Sequence, residues 1–412
     1  MDKTICELFA GVGGFRLGFD RLNSGWETVW FSQWEPLTKS QWAYDCYIQH
    51  FGDSLDINGE THTNEDISTI DKHTIPDHSL LVAGFPCQDY SVAKTLSTSK
   101  GIEGKKGVLW WDIYDTIVAK KPPFVLLENV DRLIKSPAYQ RGRDFGIILS
   151  CFHEQGYTVE WRIVNAAEYG GAQRRKRIFI FAYLSEGTYG QQMASITAED
   201  IVTKKGFMTK AFPISKHHLF TSTTINTDIL SISDEFTFGF GNAGLMRNGE
   251  IITTMVYSKT EKPILLGSVL ESNVDEQFYI PEDKMHRWEY LKGQKSIPRV
   301  SKTGFEYTFS EGAIAFPDPL DRPSRTMLTS EAMLNRSTHV VEDPQTKRLR
   351  VLTPVEAERL NGFDDNWTDT GMGRQSRYFC MGNALVVPMI TRMGAVLDNI
   401  INLEKGEKKK WQ

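Results

Sequence analysis

The pattern of hydrophobic and polar positions divides the chain into two parts of different texture. Up to residue 184, six short runs of apolar and β-branched residues predict strands, and the runs are nearly continuous, as is typical of strands buried on both faces. Helical periodicity between them predicts helices at 109–121 and 145–155. Because strands and helices alternate, we predict a largely parallel sheet covered on both sides. The predicted strands are 4–10, 28–34, 79–85, 124–130, 158–164 and 177–184.

The pattern changes after residue 184. Residues 185–345 are rich in Ser, Thr, Gly and Asn and contain short pieces such as FTFGFGN and IITTMVYS, which predicts a second, irregular domain with few helices. Helical periodicity returns at 353–363 and again at 386–401, where Pro388 stands near the helix start. The last helix is apolar enough to need a partner surface, so we expect it to pack back on the first domain.

Composition excludes several classes of protein. A chain of 412 residues with 40% hydrophobic and 24% charged residues is typical of a globular protein of two domains. No apolar run approaches the roughly 20 residues that span a bilayer, and the N-terminus lacks the features of a signal peptide, so we expect a cytoplasmic protein without a membrane partner. The five cysteines form no CxxC pair and the nine histidines no ligand grouping, so we expect no metal.

Charge is unevenly distributed along the chain. The formal net charge of −5 at first argues against a nucleic-acid partner, but it divides into −7 for residues 1–130 and +2 for residues 131–350. The second segment contains basic groups at 174–177 and 347–350. Such clusters more often mark solvated faces than binding sites, so alone they support phosphate contacts only weakly.

A glycine-rich turn follows the first predicted strand, at 10–14 (AGVGG). In open parallel sheets, ligands bind at the carboxyl ends of the strands, and glycines there let the backbone approach a ligand closely. The turn is not a dinucleotide fingerprint, because Arg16 stands where the third glycine of G-x-G-x-x-G would be. This spacing disfavours a nicotinamide-dependent dehydrogenase.

Carboxylates and a thiol follow other predicted strands. Glu35 is placed to hold ribose hydroxyls, Asp66 follows the segment THTNEDI, Cys87 follows the third strand and Glu128 ends the fourth. The grouping favours a small-molecule site at this edge. Taken singly, Glu35 and Asp66 are equally explained as helix caps, and Cys87 as a structural thiol.

Nine short motifs follow one another along the chain. They are ELFAGVGGFRLG, QWEP, NEDIS, GFPCQDYS, GKKGVLWWDI, LLENV, GGAQRRKRIFI, DRPSRTML and FCMGNALVV. In this order they resemble the cytosine-C5 DNA methyltransferase family, and the likeness covers residues 4–184 and 318–395. The resemblance implies an α/β, Rossmann-like S-adenosylmethionine-dependent methyltransferase fold with a smaller, irregular, β-rich target recognition domain. It places the catalytic domain at 1–184 and 376–412, the target recognition domain at 185–350 and a hinge at 351–375.

The resemblance also implies a cofactor and a set of site residues. S-adenosylmethionine would be the methyl donor and S-adenosylhomocysteine the product. Cys87 matches the family's nucleophile, Glu128 its Glu-Asn-Val glutamate, and Gln173, Arg175 and Arg177 its Q-x-R-x-R pattern. The positions that match or adjoin the family's cofactor contacts are Phe9, Ala10, Gly11, Gly13, Gly14, Glu35, Asp66, Ile67, Gly84, Pro86, Leu109, Asn383 and Ala384.

The chemistry of cytosine explains why these residue types are needed. Carbon 5 is a poor nucleophile, and addition of the Cys87 thiolate to carbon 6 would convert the ring to an enamine whose carbon 5 attacks the donor methyl. Addition places electron density on ring nitrogen 3, so we expect Glu128 to act there as a general acid, with its neutral form favoured by burial. We expect Arg175 to contact the base, and Arg177 to hold the base or a phosphate.

The target base must leave the duplex before a side chain can reach carbon 6. The segment 89–107, which contains small residues, four lysines and three glycines, has the composition of a mobile loop that closes over a flipped base. We therefore predict duplex DNA as the partner and a monomer as the simplest state. The sequence does not reveal the recognised site or a partner nuclease. Residue types that reach base edges, and are equally ordinary on surfaces, are Arg247, Asn248, Arg287, Asn335 and Arg336.

Two other functions remain open at this point. A tRNA cytosine methyltransferase of similar fold would carry a Cys-Phe-Thr signature, and the nearest approach is Cys151-Phe152-His153. A binding-only scaffold of the same fold would usually lack the nucleophile, the acid or the glycines, all of which are present. The large middle segment favours duplex DNA over tRNA.

Overall fold

The fold is described from a computed structural model, which describes residues 1–36, 38–85, 109–301 and 304–404. The predicted nucleophile Cys87, Pro86 and the segment 89–107 therefore lie outside the described residues. The strands are β1 Thr4–Leu8, β2 Glu27–Ser32, β3 Leu80–Gly84, β4 Phe124–Val130, β5 Tyr157–Asn165, β6 Lys176–Leu184, β7 Ile214–His217, β8 Thr221–Thr224, β9 Ala243–Arg247, β10 Glu250–Thr254, β11 Val256–Ser258, β12 Lys295–Val300, β13 Glu306–Glu311, β14 Val340–Glu342 and β15 Leu349–Val351.

The helices include each of those that the periodicity predicted. Among the described residues no single helix is long and apolar enough to cross a bilayer. The consecutive helices Arg374–Asn383 and Val387–Glu404, which are bent by 41° at the break between them, reach that length and hydropathy only together. The α-helices are α1 Gly14–Asp20, α2 Trp42–Phe51, α3 Leu109–Lys120, α4 Arg143–Glu154, α5 Thr188–Ala194, α6 Ala198–Asp200, α7 Phe207–Ala211, α8 Ile229–Glu235, α9 Leu266–Val269, α10 Met285–Lys292, α11 Pro354–Asn361, α12 Arg374–Asn383 and α13 Val387–Glu404.

The main sheet has the strand order β2-β1-β3-β4-β6-β5-β9-β10-β8. Its first four strands are parallel, while every pair from β4–β6 outward is antiparallel. The prediction of a largely parallel sheet therefore holds for one half, and the sheet as a whole is mixed. The reversal at β6 has a covalent reason, because the connection 166–175 between β5 and β6 is shorter than the crossover of a dozen or more residues that a parallel pair needs.

The chain folds into two compact units. Unit 1 contains 1–169, 176–261 and the chain from 387 onward, and unit 2 contains 170–175 and 262–386. The predicted boundary after residue 184 differs from this division, because β8, β9 and β10 extend the main sheet. The assignment of residues 185–350 to target recognition, and of 351–375 to a hinge, stays a prediction.

The last helix, α13, packs within unit 1, as the sequence predicted. The Thr391 hydroxyl donates to the Gly18 carbonyl of α1 at 2.8 Å. A Cβ on Gly18 would lie 2.6 Å from Ile390 Cβ, so only glycine allows the two helices to approach this closely. The chain from Val387 thus returns to the sheet domain.

Unit 2 contains a buried charge network around Arg350 of β15. The guanidinium contacts Asp343 through Nε at 2.8 Å and Glu356 through Nη2 at 2.7 Å, and the side chain is fully buried. Glu356 also accepts the Thr353 backbone N–H at 2.8 Å, which completes a capping box at the start of α11. Each charge of this network is used inside the fold.

Candidate active site

The glycine turn after β1 adopts backbone conformations that are rare for residues with side chains. Phe9, Gly11 and Gly13 have φ angles of 56°, 56° and 82°. Positive φ at a bulky residue such as Phe9 is unfavourable, and such strain concentrates at ligand sites. Gly13 is required on packing grounds too, because a Cβ there would lie 2.4 Å from the Phe51 ring.

The turn is held in place by bonds to β2 and its extension. The Ala10 N–H donates to the Ser32 carbonyl at 3.0 Å, and the Gly11 N–H donates to Gln33 Oε1 at 2.7 Å. Gly14 then begins α1. These contacts fix the turn at the carboxyl end of β1, and Gln33 is a positioning residue that the sequence analysis did not single out.

A buried carboxylate lies behind the turn. Glu7 of β1 is inaccessible to solvent and accepts the Tyr47 hydroxyl at 3.1 Å, while Arg16 of α1 lies 3.5 Å from the same hydroxyl. Burial raises the pKa of Glu7 to about 8, and the Tyr47 hydrogen bond and nearby Arg16 lower it only in part. The signal in the sequence is a carboxylate inside the apolar run TICELFA, which indicates a buried acid that was not predicted.

Glu35 and Asp66 lie differently from one another. Glu35 uses its backbone N–H and carbonyl to bind Gln41, and no described residue donates a hydrogen bond to its half-exposed carboxylate, whose pKa is raised by burial. Asp66 instead caps the 3₁₀ turn 67–69, where its Oδ1 accepts the Ser68 N–H at 3.0 Å. Glu35 is thus available to a ligand, whereas Asp66 already has one carboxylate oxygen engaged as a cap.

Glu128 and Arg177 meet at the end of β4. Arg177 Nε lies 2.8 Å from Glu128 Oε1, with the two side chains 19% and 12% exposed. The contact follows from register, because Arg177 of β6 lies opposite Val130, two residues beyond Glu128 on the same face. Gly84 of β3 pairs with Glu128, and a Cβ there would lie 3.6 Å from its Oε2. From the sequence we predicted that Arg177 holds the base or a phosphate, whereas in the structure its partner is Glu128, the predicted general acid.

Gln173 and Arg175 belong to unit 2 and are buried there. Gln173 Nε2 donates to Asn361 Oδ1 at 2.7 Å and to the Leu360 carbonyl. Arg175 donates to the carbonyls of Met327 at 3.2 Å and Gly382 at 2.9 Å. Both side chains therefore tie the motif to the backbone of unit 2, and the contact of Arg175 with a base remains a prediction.

The other predicted cofactor positions have varied settings. Ile67 is buried, and Leu109, the first residue of α3, is partly buried. In unit 2, Asn383 is the exposed last residue of α12, and the Ala384 N–H donates to the Cys380 carbonyl at 2.8 Å. Contacts of these residues with a cofactor stay a prediction.

Three metal-binding side-chain types come together on the surface of unit 1. Asp56, Glu60 and His62 have ligand atoms within 4.8 Å of one another, a grouping the sequence analysis did not anticipate. Asp56 Oδ1 already accepts the backbone N–H groups of Asn58 and Glu60. The grouping is explained as a surface turn and carries no assignment.

The five candidate base-contacting residues divide by their surroundings. Arg247 donates to the carbonyls of Met193 and Ile196 within unit 1. The Asn335 amide and the Arg336 guanidinium donate to backbone carbonyls within unit 2. Asn248 has a φ of 53° between β9 and β10, as in a turn, and Arg287 is exposed on α10. Three of the five are thus committed to the fold.

Comparisons with known proteins agree with the motifs and the sheet. The family profile for C-5 cytosine-specific DNA methylases matches residues 3–399. The chain is 48% identical to the Type II methyltransferase M.Sau3AI of Staphylococcus aureus over 98% of this chain and 97% of that protein. It is 28% identical to the Type II methyltransferase M.SsoII of Shigella sonnei over 96% of this chain and 79% of that protein.

Solved structures show the same fold at low identity. A mutant of DNMT2 from Spodoptera frugiperda matches with a TM-score of 0.59 at 14% identity, covering 96% of this chain and 99% of that one. The Dnmt2 methyltransferase of S. pombe matches with a TM-score of 0.55, also at 14% identity, and covers 98% of each chain. These structures confirm the Rossmann-like methyltransferase fold. The profile and the 48% identity show more: the chain belongs to the C-5 cytosine-specific DNA methylase family, whose members transfer a methyl group from S-adenosylmethionine to cytosine in DNA.

Proposed function

We propose that this enzyme methylates carbon 5 of a flipped cytosine within a specific duplex DNA sequence, through a covalent adduct with Cys87. The observation that carries the proposal is the shared edge of β1, β3 and β4, which are adjacent and parallel. Their carboxyl ends place the strained glycine turn, Gly84 and the Glu128–Arg177 pair along one side of the sheet. Ligands bind at this edge in open α/β sheets.

The residues at this edge fit S-adenosylmethionine. The backbone at Phe9, Gly11 and Gly13 is held at positive φ, a conformation that suits the close approach of a ligand, and the Glu35 carboxylate, which no described residue binds, suits two ribose hydroxyls. When bound, the cofactor supplies an electrophilic methyl group on a sulfonium. We assign the remaining contacts to Ala10, Gly14, Asp66, Ile67, Gly84, Pro86, Leu109, Asn383 and Ala384. The reaction as proposed needs no metal.

The Cys87 thiolate adds to carbon 6, and Glu128 donates a proton to ring nitrogen 3 as charge develops there. Once carbon 5 carries the methyl group, a base removes the proton from carbon 5, the carbon 6–sulfur bond breaks and the Cys87 thiolate is released. Because Arg177 pairs with Glu128, its guanidinium orients the carboxyl group at the end of β4. We infer that the entering base displaces part of this ion pair and that Glu128 is protonated from solvent before it donates to ring nitrogen 3. In this proposal Gln173 holds the motif in place through its hydrogen bonds to Leu360 and Asn361, and Arg175, which donates to the carbonyls of Met327 and Gly382, contacts the base.

The test uses the full-length enzyme, labelled S-adenosylmethionine and a library of duplexes. We expect wild type to label DNA and not tRNA, and bisulfite sequencing of DNA from expressing cells to reveal the site. Cys87→Ser should lower the rate by at least about 10³-fold, since the nucleophile is lost, while cofactor binding persists. DNA containing 5-fluorocytosine should trap a covalent adduct with wild type only. Native-rate methylation by Cys87→Ser would overturn the mechanism.

The cellular role that we propose is modification within a restriction–modification system. Its similarity to Type II methyltransferases supports this role. DNA from expressing cells should then resist a nuclease whose recognition sequence contains the methylated cytosine. Action as a cytoplasmic monomer remains part of the proposal, and sedimentation with and without a target duplex tests the oligomeric state.

A further inference from the structure

An antiparallel pair of strands in unit 2, β12 and β13, is exposed to solvent on one face along its length and on the other face towards its outer end. We call this pair the ribbon. Val300 is 64% exposed, Tyr307 42% and Phe305, which directly precedes β13, 69%. A two-stranded ribbon is only marginally stable by itself, and large apolar side chains on it are normally covered. The ribbon therefore needs both an anchor and a partner.

Arg336 supplies the anchor at the base of the ribbon. Its Nη1 donates to the carbonyls of Leu291 at 3.1 Å and Gly293 at 3.2 Å, which precede β12, and its Nη2 donates to the carbonyl of Gly312, which follows β13. One guanidinium thus joins the entry and exit of the ribbon. Because the two ends are fixed and both faces are exposed towards the outer end, the strands are held out into solvent.

The two faces of the ribbon differ in chemistry. Side chains alternate along a strand, so every second cross-strand pair lies on the same face of the ribbon. We call the face that contains Tyr307 and Phe309 the aromatic face. The opposite face has no aromatic residue, one acid and no base, and it holds Ser296, Pro298, Val300, Glu306, Thr308 and Ser310. The aromatic face holds Lys295, Ile297, Arg299, Tyr307, Phe309 and Glu311.

Positive charge on the aromatic face lies towards the outer end. Near the base, Lys295 and Glu311 pair at 3.6 Å and offset one another. Further out, the Arg299 guanidinium carbon lies 4.0 Å from the centre of the Phe309 ring, and Arg299 has no ion pair with any described residue. Stacking on the ring holds the guanidinium in place without using its hydrogen-bond donors on a carboxylate.

We infer that the ribbon enters the major groove of the target DNA with its aromatic face towards the bases, and that Arg299 is a specificity-determining residue. This inference rests on the proposed function and names the element that reads the sequence. The major groove admits a two-stranded β-ribbon, and a free guanidinium fork matches the two acceptors of guanine. Addition of a strand from a protein partner along β12 is less favourable, because Pro298 lacks the N–H that an edge would offer.

The test compares two double variants of the full-length enzyme. Arg299→Ala with Tyr307→Ala removes the aromatic face near its outer end, and Thr308→Ala with Ser310→Ala alters the opposite face as a matched control. The readouts are kcat and KM for the target duplex, the spread of methylated sites by bisulfite sequencing, the Kd for S-adenosylmethionine and the Tm. We expect the first variant to lose roughly 10- to 100-fold in kcat/KM for the target and to methylate a broader set of sites.

The control should stay within about twofold of wild type, and cofactor affinity and Tm should be unchanged in both variants, because neither face contributes to the core. Equal behaviour of the two variants would overturn the inference, as would a loss of activity that follows a loss of Tm. A uniform loss on all sequences would also overturn it, since that result indicates phosphate contacts rather than base reading. If wild type itself labels no DNA, the proposed function fails first, and the two failures are thereby distinguished.

Discussion

Charged groups in the two units are used in opposite ways. Around Arg350, two carboxylates and a guanidinium satisfy one another out of contact with water, and nothing is left for a ligand. At the edge of β1 and β4, Glu35 receives no hydrogen bond on its carboxylate from the described residues, Glu128 has one ion pair, and Phe9 is held at positive φ. The first arrangement specifies the fold, and the second keeps polar groups ready for a reaction.

The largest effect expected from this difference concerns Glu128. Glu128→Gln should lower kcat by about 10²- to 10⁴-fold, because an amide cannot deliver the proton to ring nitrogen 3, while the Tm changes little. The measurement is single-turnover methyl transfer between pH 6 and 8. Unchanged turnover across that range would show that Glu128 is not the general acid, and the contrast with the buried network around Arg350 would then no longer hold.

The second effect is on stability and concerns Arg350. Arg350→Ala should lower the free energy of unfolding by about 3–5 kcal/mol, since two buried carboxylates lose their partner. Urea unfolding measures the loss, and kcat of the remaining folded enzyme should be retained. Arg348, which directly precedes the same strand, is the matched control, because its ion pair with Glu276 is exposed and its loss should change stability little. Similar losses at the two positions would contradict the prediction.

The third effect is on cofactor binding and concerns Glu35. Glu35→Gln should weaken S-adenosylmethionine binding by roughly 10- to 100-fold, because charge-assisted hydrogen bonds to ribose are lost, with kcat at saturation nearly unchanged. Equilibrium binding by calorimetry provides the number. Glu65→Gln, an exposed carboxylate of the same unit, should leave the affinity at the wild-type value. Equal affinities for the two variants would show that Glu35 does not bind the cofactor.

The smallest effect is a change of pH dependence at Glu7. Its pKa rises from the ordinary value of 4.5 to about 8 in the folded state, chiefly through burial. The folded state therefore binds the proton more tightly than the unfolded state, and the stability that this proton provides is lost as pH rises from about 4.5 to about 8. Glu7→Gln should lessen that loss, so its Tm relative to wild type should increase from pH 5 to pH 8. Parallel curves of Tm against pH would contradict this expectation.

Most of unit 1 could be predicted from the sequence for a clear physical reason. Both ends of each of the first six strands lie within two residues of their predicted positions, because nearly continuous apolar runs are typical of strands buried on both faces. Strands β8 and β10, with sequences TSTT and EIITT, were not predicted as strands, because Ser and Thr are common in strands and in loops. The direction of β6 depends on connection length, which the apolar pattern does not encode.

The candidate site was predicted in part for similar reasons. Motifs identified Glu128, Glu35 and the glycine turn, since these lie at strand ends that can be read along the chain. The Arg177–Glu128 ion pair depends on cross-strand register, and the commitment of Arg175 to the carbonyls of Met327 and Gly382 depends on residues far away in sequence. Arg336 shows the limit most clearly, because a residue type suited to base contacts instead closes the base of the ribbon.

The pairing of β5 with β9 limits where a segment for target recognition can be exchanged between related enzymes. A transplant that began after Leu184 would remove the host strands β8 to β10 from the sheet and leave the edge of β5 that faces β9 unpaired. A graft that begins after Glu261 respects the continuous ladder. Recombinants that keep methylating should therefore have their crossover points beyond that residue.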